Sequence, residues 1–197
     1  MNKTRNRNRL ALIFIFVLFF IPLLAAVILS SKWVQYEPAT TVNLGTLVEP
    51  PVPISDGLLL DTAPSAADEL AGRWLLIHPL NNDCDALCGE IVTDLRQIHI
   101  GTGRHQDEVA VALLAQGTID NSLRQELMTI YPRFVVLSDI TGETMNALVE
   151  ANQGLRPATG TSFIADPEGN IMLRYDAGYS PRDMNRDLQK LLKWSGR

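Results

Sequence analysis

The stretch Asn82-Asp83-Cys84-Asp85-Ala86-Leu87-Cys88-Gly89 contains both cysteines of the 197-residue chain. If a helix begins near Asp85, Cys84 and Cys88 lie on one face of it, because residues i and i+4 of a helix are neighbours. The two sulfur atoms can then bind one metal ion or each other. A disulfide here would close a loop of about five residues and remove only about 2 kcal/mol of denatured-state entropy. The spacing therefore favours reversible chemistry over a structural staple.

Apolar segments alternate with turns on both sides of the cysteine pair. Trp74-Leu75-Leu76-Ile77 predicts a buried strand before it, and the apolar stripe between Leu87 and Ile98 predicts a helix after it. Further strands are predicted at 109–114, 134–137, 161–165 and 170–175, and further helices at 122–130, 142–151 and 181–194. The order β-α-β-α-β-α-β-β-α indicates an α/β, thioredoxin-like fold with a mostly parallel sheet and a C-terminal antiparallel hairpin. In such sheets the chemistry lies beyond the carboxyl ends of the strands, where Cys84 is expected.

The N-terminal third predicts a membrane anchor and a linker. Residues 1–9 carry four basic side chains and no acid, and residues 10–29 carry no charged or hydrogen-bonding side chain. Twenty such residues are long enough to cross a bilayer as one helix, and the preceding bases predict a cytoplasmic N-terminus. Residues 30–71 are predicted to be a proline-rich linker and N-terminal extension, and residues 72–197 a thioredoxin-like domain. We therefore expect a single-pass protein of the bacterial inner membrane with its domain in the periplasm.

The net charge of that domain excludes one class of partner. The formal charge is −5 for the whole chain. Without the four bases of residues 1–9, 13 basic residues stand against 22 acidic ones, a formal charge of −9. A surface this acidic makes nucleic acid an unsuitable partner.

Three segments resemble the Sco/SenC family of thioredoxin-fold copper chaperones, which metallate cytochrome c oxidase. They are 72–77, 84–88 and 163–171. The anchor, the segment 42–51 and Leu95-Arg96-Gln97-Ile98 are also similar to membrane-anchored Sco-like proteins associated with cytochrome c oxidase assembly in proteobacteria. The resemblance implies Cu(I) as a possible cargo, and oxidase subunits or other oxidase assembly factors as partners.

The candidate site residues are Cys84 and Cys88, as a catalytic pair or as metal ligands, with His78 as a further metal ligand. Soft thiolates suit Cu(I), and a helix N-terminus lowers the pKa of a thiol and supports disulfide exchange. In Sco proteins a histidine about eight residues before the Asp-Pro of the hairpin completes the copper site; here that position falls on Ala158. His78 is a substitute ligand or, alternatively, a hydrogen-bonded core histidine.

Further positions complete the set of predictions. Thr161 stands where thioredoxins carry a cis-proline. His99 and His105 are predicted to lie on the surface, far from Cys84. Asp83 and Asp85 flank Cys84 and are predicted to cap the helix.

Three functions remain open from the sequence. The first is an assembly factor for a respiratory cytochrome c oxidase that uses Cys84 and Cys88 in Cu(I) handling or thiol–disulfide exchange. The second is a non-catalytic assembly scaffold with a structural disulfide. The third is a general periplasmic thiol–disulfide oxidoreductase.

Overall fold

A seven-stranded sheet forms the centre of the unit that spans Asn43–Arg197. The computed structural model describes residues 13–24, 27, 43–55, 59–60, 70–80 and 84–195. The strands are β1 (Thr46–Pro53), β2 (Leu59–Leu60), β3 (Trp74–Leu80), β4 (Val109–Ala115), β5 (Val135–Ser138), β6 (Ser162–Ala165) and β7 (Asn170–Tyr175). The helices of this unit are α1 (Ala86–Gly101), α2 (Asn121–Ile130), α3 (Glu143–Ala151) and α4 (Pro181–Ser195), with a 3₁₀ helix at Gly103–Glu108.

The predicted order of elements is confirmed from β3 to α4, but the prediction of a mostly parallel sheet is wrong. The strands lie in the order β1-β7-β6-β3-β4-β5-β2. Only β3 with β4 and β4 with β5 are parallel, whereas the other four pairings are antiparallel. The sheet is mixed because the hairpin β6–β7 joins the centre next to β3, and because β1 and β2 from the predicted extension pair at its two edges.

Strand β3 is longer than its apolar run predicts, and it includes a proline. Leu75, Leu76 and Ile77 pair with both neighbours, β4 and β6. Beyond Ile77 only the pairing with β4 continues, to Leu80. Proline is tolerated where a strand has lost a neighbour, and Pro79 lies in this one-sided part. The strand therefore runs on past His78 toward the cysteines.

The two faces of the sheet carry separate apolar cores. Alternate residues of a strand point to opposite faces, so Leu76 and Leu80 pack on one side and Leu75 and Ile77 on the other. The first core also contains buried residues of α1, α2 and α4, and the second contains those of α3. His78 is in register with Leu76 and Leu80, and it therefore faces the side of α1.

The N-terminal unit, Met1–Val42, is described over a short helical part only. Residues 13–24 and 27 are helical. Among the described residues, no helix reaches the length and apolarity that crossing a membrane requires. The predicted span 10–29 includes positions that lie outside the described residues, so it stays a prediction.

Candidate functional site

The cysteine pair lies where β3 gives way to α1. Helix α1 begins at Ala86, and Asp85 is its N-cap residue. Cys84 therefore precedes the helix and is half-buried, whereas Cys88 lies in the first turn and is 8% exposed. Cys88 belongs to the core between α1 and the sheet, and Cys84 packs against that core. The two sulfur atoms thus have unequal access to a partner molecule.

Cys84 and Cys88 are joined by a disulfide. Their Cα atoms are 5.1 Å apart, which is within the range that a disulfide spans without backbone movement. This short distance arises because Cys84 lies outside the helix and its backbone can turn toward Cys88. The pair is therefore not an i,i+4 disulfide on a regular helix, which would separate the Cα atoms further.

Asp85 fixes the start of the helix between the two cysteines. Its side-chain Oδ1 accepts a hydrogen bond from the backbone N–H of Cys88 at 2.9 Å. The predicted cap is confirmed at Asp85, while Asp83 lies outside the described residues. Asp85 is exposed and places a negative charge beside Cys84. The N-terminus of the helix favours a thiolate, and this carboxylate opposes it.

His78 lies buried behind the cysteines, with 3% of its surface exposed. Its Nδ1 is 3.2 Å from the carbonyl oxygen of Thr161 and 3.3 Å from the hydroxyl oxygen of Ser162. A carbonyl oxygen only accepts hydrogen bonds, so Nδ1 carries the proton and Nε2 carries the free electron pair. Burial lowers the pKa of His78 to about 4, and the hydrogen bond to Thr161 and the charge of Asp85 offset only part of this shift. His78 is therefore neutral at pH 7.

A small cavity of about 20 Å³ connects His78 to the disulfide. This volume suffices for one water molecule. The cavity is lined by His78, Pro79, Asp85, Leu87, Cys88, Ile91, Thr159 and Gly160. The structure thus brings His78 and Cys88 to one space.

The loop that precedes β6 covers the cysteine side of this cavity. Thr159 and Gly160 line the cavity, so the loop lies where the Sco resemblance implies a third ligand, but Ala158 is exposed and has no coordinating side chain. Among the described residues the cis peptide bond is Glu49–Pro50, so the bond that leads into Thr161 is trans. Gly160 has a φ of +91°, and a Cβ there would lie 3.5 Å from Leu87 of α1. Sequence reasoning missed Thr159 and Gly160, although a glycine next to the expected loop was a usable signal.

The prediction that His99 lies on the surface is wrong. His99 is 3% exposed. Its Nε2 donates to the carbonyl oxygens of Gln106 and Val109, at 3.1 and 3.0 Å, and Tyr131 donates its hydroxyl to Nδ1 at 2.7 Å. Burial lowers the pKa of His99. This histidine ties the C-terminal end of α1 to the core because the 3₁₀ helix folds back over it, and it takes no part in the cysteine site. His105 is half-buried and contacts Glu108.

Within the part of the chain that the structure describes, no three His, Cys, Asp or Glu side chains are grouped as a metal site. His78 and Cys88 line one cavity, and the disulfide joins Cys88 to Cys84. In this form the pair is an oxidised dithiol with one accessible sulfur. It can accept two electrons from a thiol-containing molecule.

Two solved structures share the fold of this chain. The solution structure of apo Sco1 from Thermus thermophilus is 16% identical and superposes with a TM-score of 0.54, covering 78% of this chain and 99% of that one. Arabidopsis thaliana ScoI with copper bound is 11% identical, with a TM-score of 0.50, covering 64% of this chain and 88% of that one. The resemblance to the Sco/SenC family is thereby confirmed at the level of the fold. This chain has a Sco-like thioredoxin fold.

The sequence defines the family more narrowly. The profile described as "Transmembrane-like, thioredoxin-like, C-terminal domain" matches residues 74–195. The chain belongs to this family, because the match spans more than half of its length. No curated protein matches the sequence of this chain.

Proposed function

We propose that this chain is a membrane-anchored thiol–disulfide exchange protein that serves the assembly of a respiratory cytochrome c oxidase in the bacterial periplasm. The observation that carries the proposal is the Cys84–Cys88 disulfide at the start of α1, with Cys84 half-buried and Cys88 in the core. The anchor and the oxidase rest on the apolar segment 10–29 and on the Sco-like motifs.

The unequal access of the two sulfurs assigns their roles in exchange. In the reduced protein, the Cys84 thiolate attacks a disulfide of the client and forms a mixed disulfide, and one client thiolate leaves. The Cys88 thiolate then attacks Cys84, so that the second client sulfur leaves. The client gains two electrons and two protons, the Cys84–Cys88 disulfide re-forms, and a dithiol reductant of the compartment must restore the reduced protein. Such a cycle would keep the copper-ligand cysteines of an oxidase subunit reduced.

The surroundings of Cys88 suit the second step. Cys88 is sheltered from solvent, so external disulfides reach it less readily than Cys84. Neutral His78 shares the cavity with Cys88 and offers an electron pair on Nε2. A water in the cavity could pass a proton between them.

Trapping of the client tests this proposal. In cells, Cys88→Ser should accumulate a mixed disulfide between Cys84 and the client, because the resolving thiolate is absent. Cys84→Ser is the matched control and should accumulate none. The adduct is detected on non-reducing gels and identified by mass spectrometry. The proposal is wrong if the Cys84→Ser/Cys88→Ser cells retain full oxidase copper content and activity.

A second candidate function is transient Cu(I) binding by the reduced pair. One observation favours it: His78 lines the same cavity as Cys88 and is in the tautomer that leaves Nε2 available to a metal. Two thiolates and an imidazole form a donor set that suits Cu(I). An anaerobic competition titration of the reduced chain with Cu(I) decides it. One-to-one binding should be lost in Cys84→Ser/Cys88→Ser and weakened in His78→Phe. Equal Cu(I) affinity in the wild type and in both variants rules this function out.

A further inference from the structure

The last helix, α4, carries its basic residues on one face. They are Arg182, Arg186, Lys190 and Lys193. At 100° per residue these positions fall within an arc of about 80° and extend along about 16 Å of the helix. The buried residues Met184, Leu188 and Leu192 lie on the opposite side. Because the four basic residues follow one line on the outside of α4, we call them the basic stripe.

This basic stripe is an exception on an acidic domain. Residues 43–197 carry 12 basic and 21 acidic residues, a formal charge of −9. Helix α4 carries four basic and two acidic residues. One of the two acids, Asp187, is buried. Lys190 pairs with Asp187 at 3.0 Å, whereas Arg182, Arg186 and Lys193 are exposed. These three carry a quarter of the positive charge of the domain on one outer surface.

Trp194 extends this surface at the end of α4. Its side chain is 81% exposed, and it follows Lys193 directly. An exposed tryptophan is unusual on a surface that faces water, but its apolar ring and polar N–H suit the boundary between lipid and water. Lysine and arginine next to it can bind lipid phosphates while their methylene groups lie along the apolar layer.

The chain also enters the domain at α4. The Oδ2 atom of Asp187 accepts hydrogen bonds from the backbone N–H groups of Leu44 and Gly45, at 2.6 and 3.0 Å. Trp194 lies seven residues further along the same helix, about 10 Å away. Between the predicted span and Leu44, the linker 30–43 reaches at most about 45 Å when fully extended. The first described residues of the domain are therefore held on α4.

We propose that the basic stripe and Trp194 form a surface that binds anionic phospholipid headgroups of the membrane in which the chain is anchored. The proposal rests on the membrane anchoring proposed above. The stripe supplies the charge that matches the lipid phosphates, and Trp194 supplies the apolar contact. Docking would fix the orientation of the domain, and hence the direction in which Cys84 is presented to a membrane-bound client.

Quenching of tryptophan fluorescence by brominated lipids tests the surface in the full chain. The chain carries Trp33→Phe to remove the signal of the linker, and the contribution of Trp194 is the difference from the same chain with Trp194→Phe. Each of the two chains is reconstituted in vesicles of phosphatidylcholine, with or without phosphatidylglycerol. We expect the fluorescence of Trp194 to be quenched at least about twofold more strongly in the anionic vesicles. The reason is that each basic residue strengthens binding to an anionic surface roughly fivefold.

Charge reversal provides the matched comparison. Arg186→Glu/Lys193→Glu should abolish the extra quenching, whereas Arg133→Glu/Arg156→Glu should retain it. Arg133 and Arg156 are exposed and lie outside α4, and the change in net charge is the same. Equal quenching in both lipids, or an equal effect of the two double variants, overturns the proposal. Absence of Trp194 quenching in an inserted chain also overturns it and leaves an acidic protein as the partner of the stripe.

Failure of the anchor is measured separately. Extraction with alkaline carbonate releases the chain from the vesicles if residues 10–29 do not span the membrane. The same quenching is then measured for the full chain added to preformed vesicles. Quenching that depends on the stripe would support the surface without the anchor, and its absence would overturn the surface as well.

Discussion

At the scale of single residues, Asp85 combines two effects on the cysteine pair. Its carboxylate caps α1 through the N–H of Cys88, and its negative charge disfavours a thiolate at Cys84. Asparagine caps a helix about as well as aspartate but carries no charge. The two effects can therefore be separated by substitution.

We predict that Asp85→Ala lowers the free energy of unfolding by about 1 kcal/mol, because the cap is lost. Asp85→Asn should keep the stability of the wild type. The same Asp85→Asn variant, once reduced, should react faster with iodoacetamide at Cys84 at pH 7. Denaturant unfolding and alkylation rates measure the two effects. If Asp85→Asn is as unstable as Asp85→Ala, the side chain acts through its charge and not as a cap.

His78 predicts how stability depends on pH. Its pKa is about 4 in the folded protein and 6.5 in the unfolded chain. Between these values the unfolded state binds a proton that the folded state does not. The free energy of unfolding is therefore unaffected by the titration of His78 above pH 6.5. As the pH falls toward 4, it decreases by up to about 3 kcal/mol. His99, whose pKa is also lowered by burial, acts in the same direction.

We predict that His78→Phe flattens this pH dependence even if it lowers stability at pH 7. Denaturant unfolding at pH 7, 6, 5 and 4 gives the slope for both proteins. The variant should lose less stability between pH 7 and 4 than the wild type does. Identical slopes would show that His78 is not held neutral by burial.

At the scale of secondary-structure elements, Asp187 joins the first residues of the domain to its last helix. In addition to Leu44 and Gly45, it accepts a hydrogen bond from the hydroxyl group of Tyr175 and pairs with Lys190. Burial alone would raise the pKa of Asp187, but these donors hold it below its usual range. The segment before β1 is thereby fixed on α4.

We predict that Asp187→Ala lowers the free energy of unfolding by about 2 to 3 kcal/mol, since hydrogen bonds to a buried charge are lost. Hydrogen exchange at the Leu44 and Gly45 amides should accelerate more than exchange in β4. Asp183→Ala, four residues earlier on the same helix and half-buried, is the control and should cost less than about 1 kcal/mol. Unchanged exchange at Leu44 in Asp187→Ala would contradict this role.

The elements differ in how well the sequence predicts them. Long segments such as β4 and α1 are predicted well, because β4 is a continuous apolar run and α1 carries an apolar stripe at helical spacing. Strand β1 does not, because Pro50, Pro51 and Pro53 suggest a linker, yet Val48 and Val52 are buried against the sheet. Proline is compatible with β1 since it is an edge strand, paired only with β7. Deleting β1 would therefore remove part of the core.

The candidate site was predictable in part. The spacing of Cys84 and Cys88 indicates a functional pair, and the cap at Asp85 follows from its residue type. The burial of His99 was not predictable, because it depends on the 3₁₀ helix that folds back over the end of α1. The cavity beside Cys88 arises between α1 and the loop before β6, whose lining residues are 68 to 73 residues apart in sequence.

At the scale of the whole molecule, the acidic domain carries a basic face on α4, and we propose that residues 10–29 anchor this domain to the membrane. The Sco-like fold places the cysteine pair beyond the carboxyl end of the central strand β3, and the proposed docking of α4 would orient it. The central claim is that the Cys84–Cys88 disulfide is reduced and re-formed in use. A permanent staple would have the same position in the fold but a different redox stability.

The reduction potential of the pair tests this claim most directly. The full chain in detergent is equilibrated in dithiol and disulfide buffers of known potential, quenched with acid, and alkylated to count free thiols. We predict a two-electron transition between about −120 and −270 mV, the range of exchange proteins, because Cys84 is accessible and the closed loop is short. A transition below about −300 mV, the range of structural disulfides in secreted proteins, would contradict the claim and favour the scaffold.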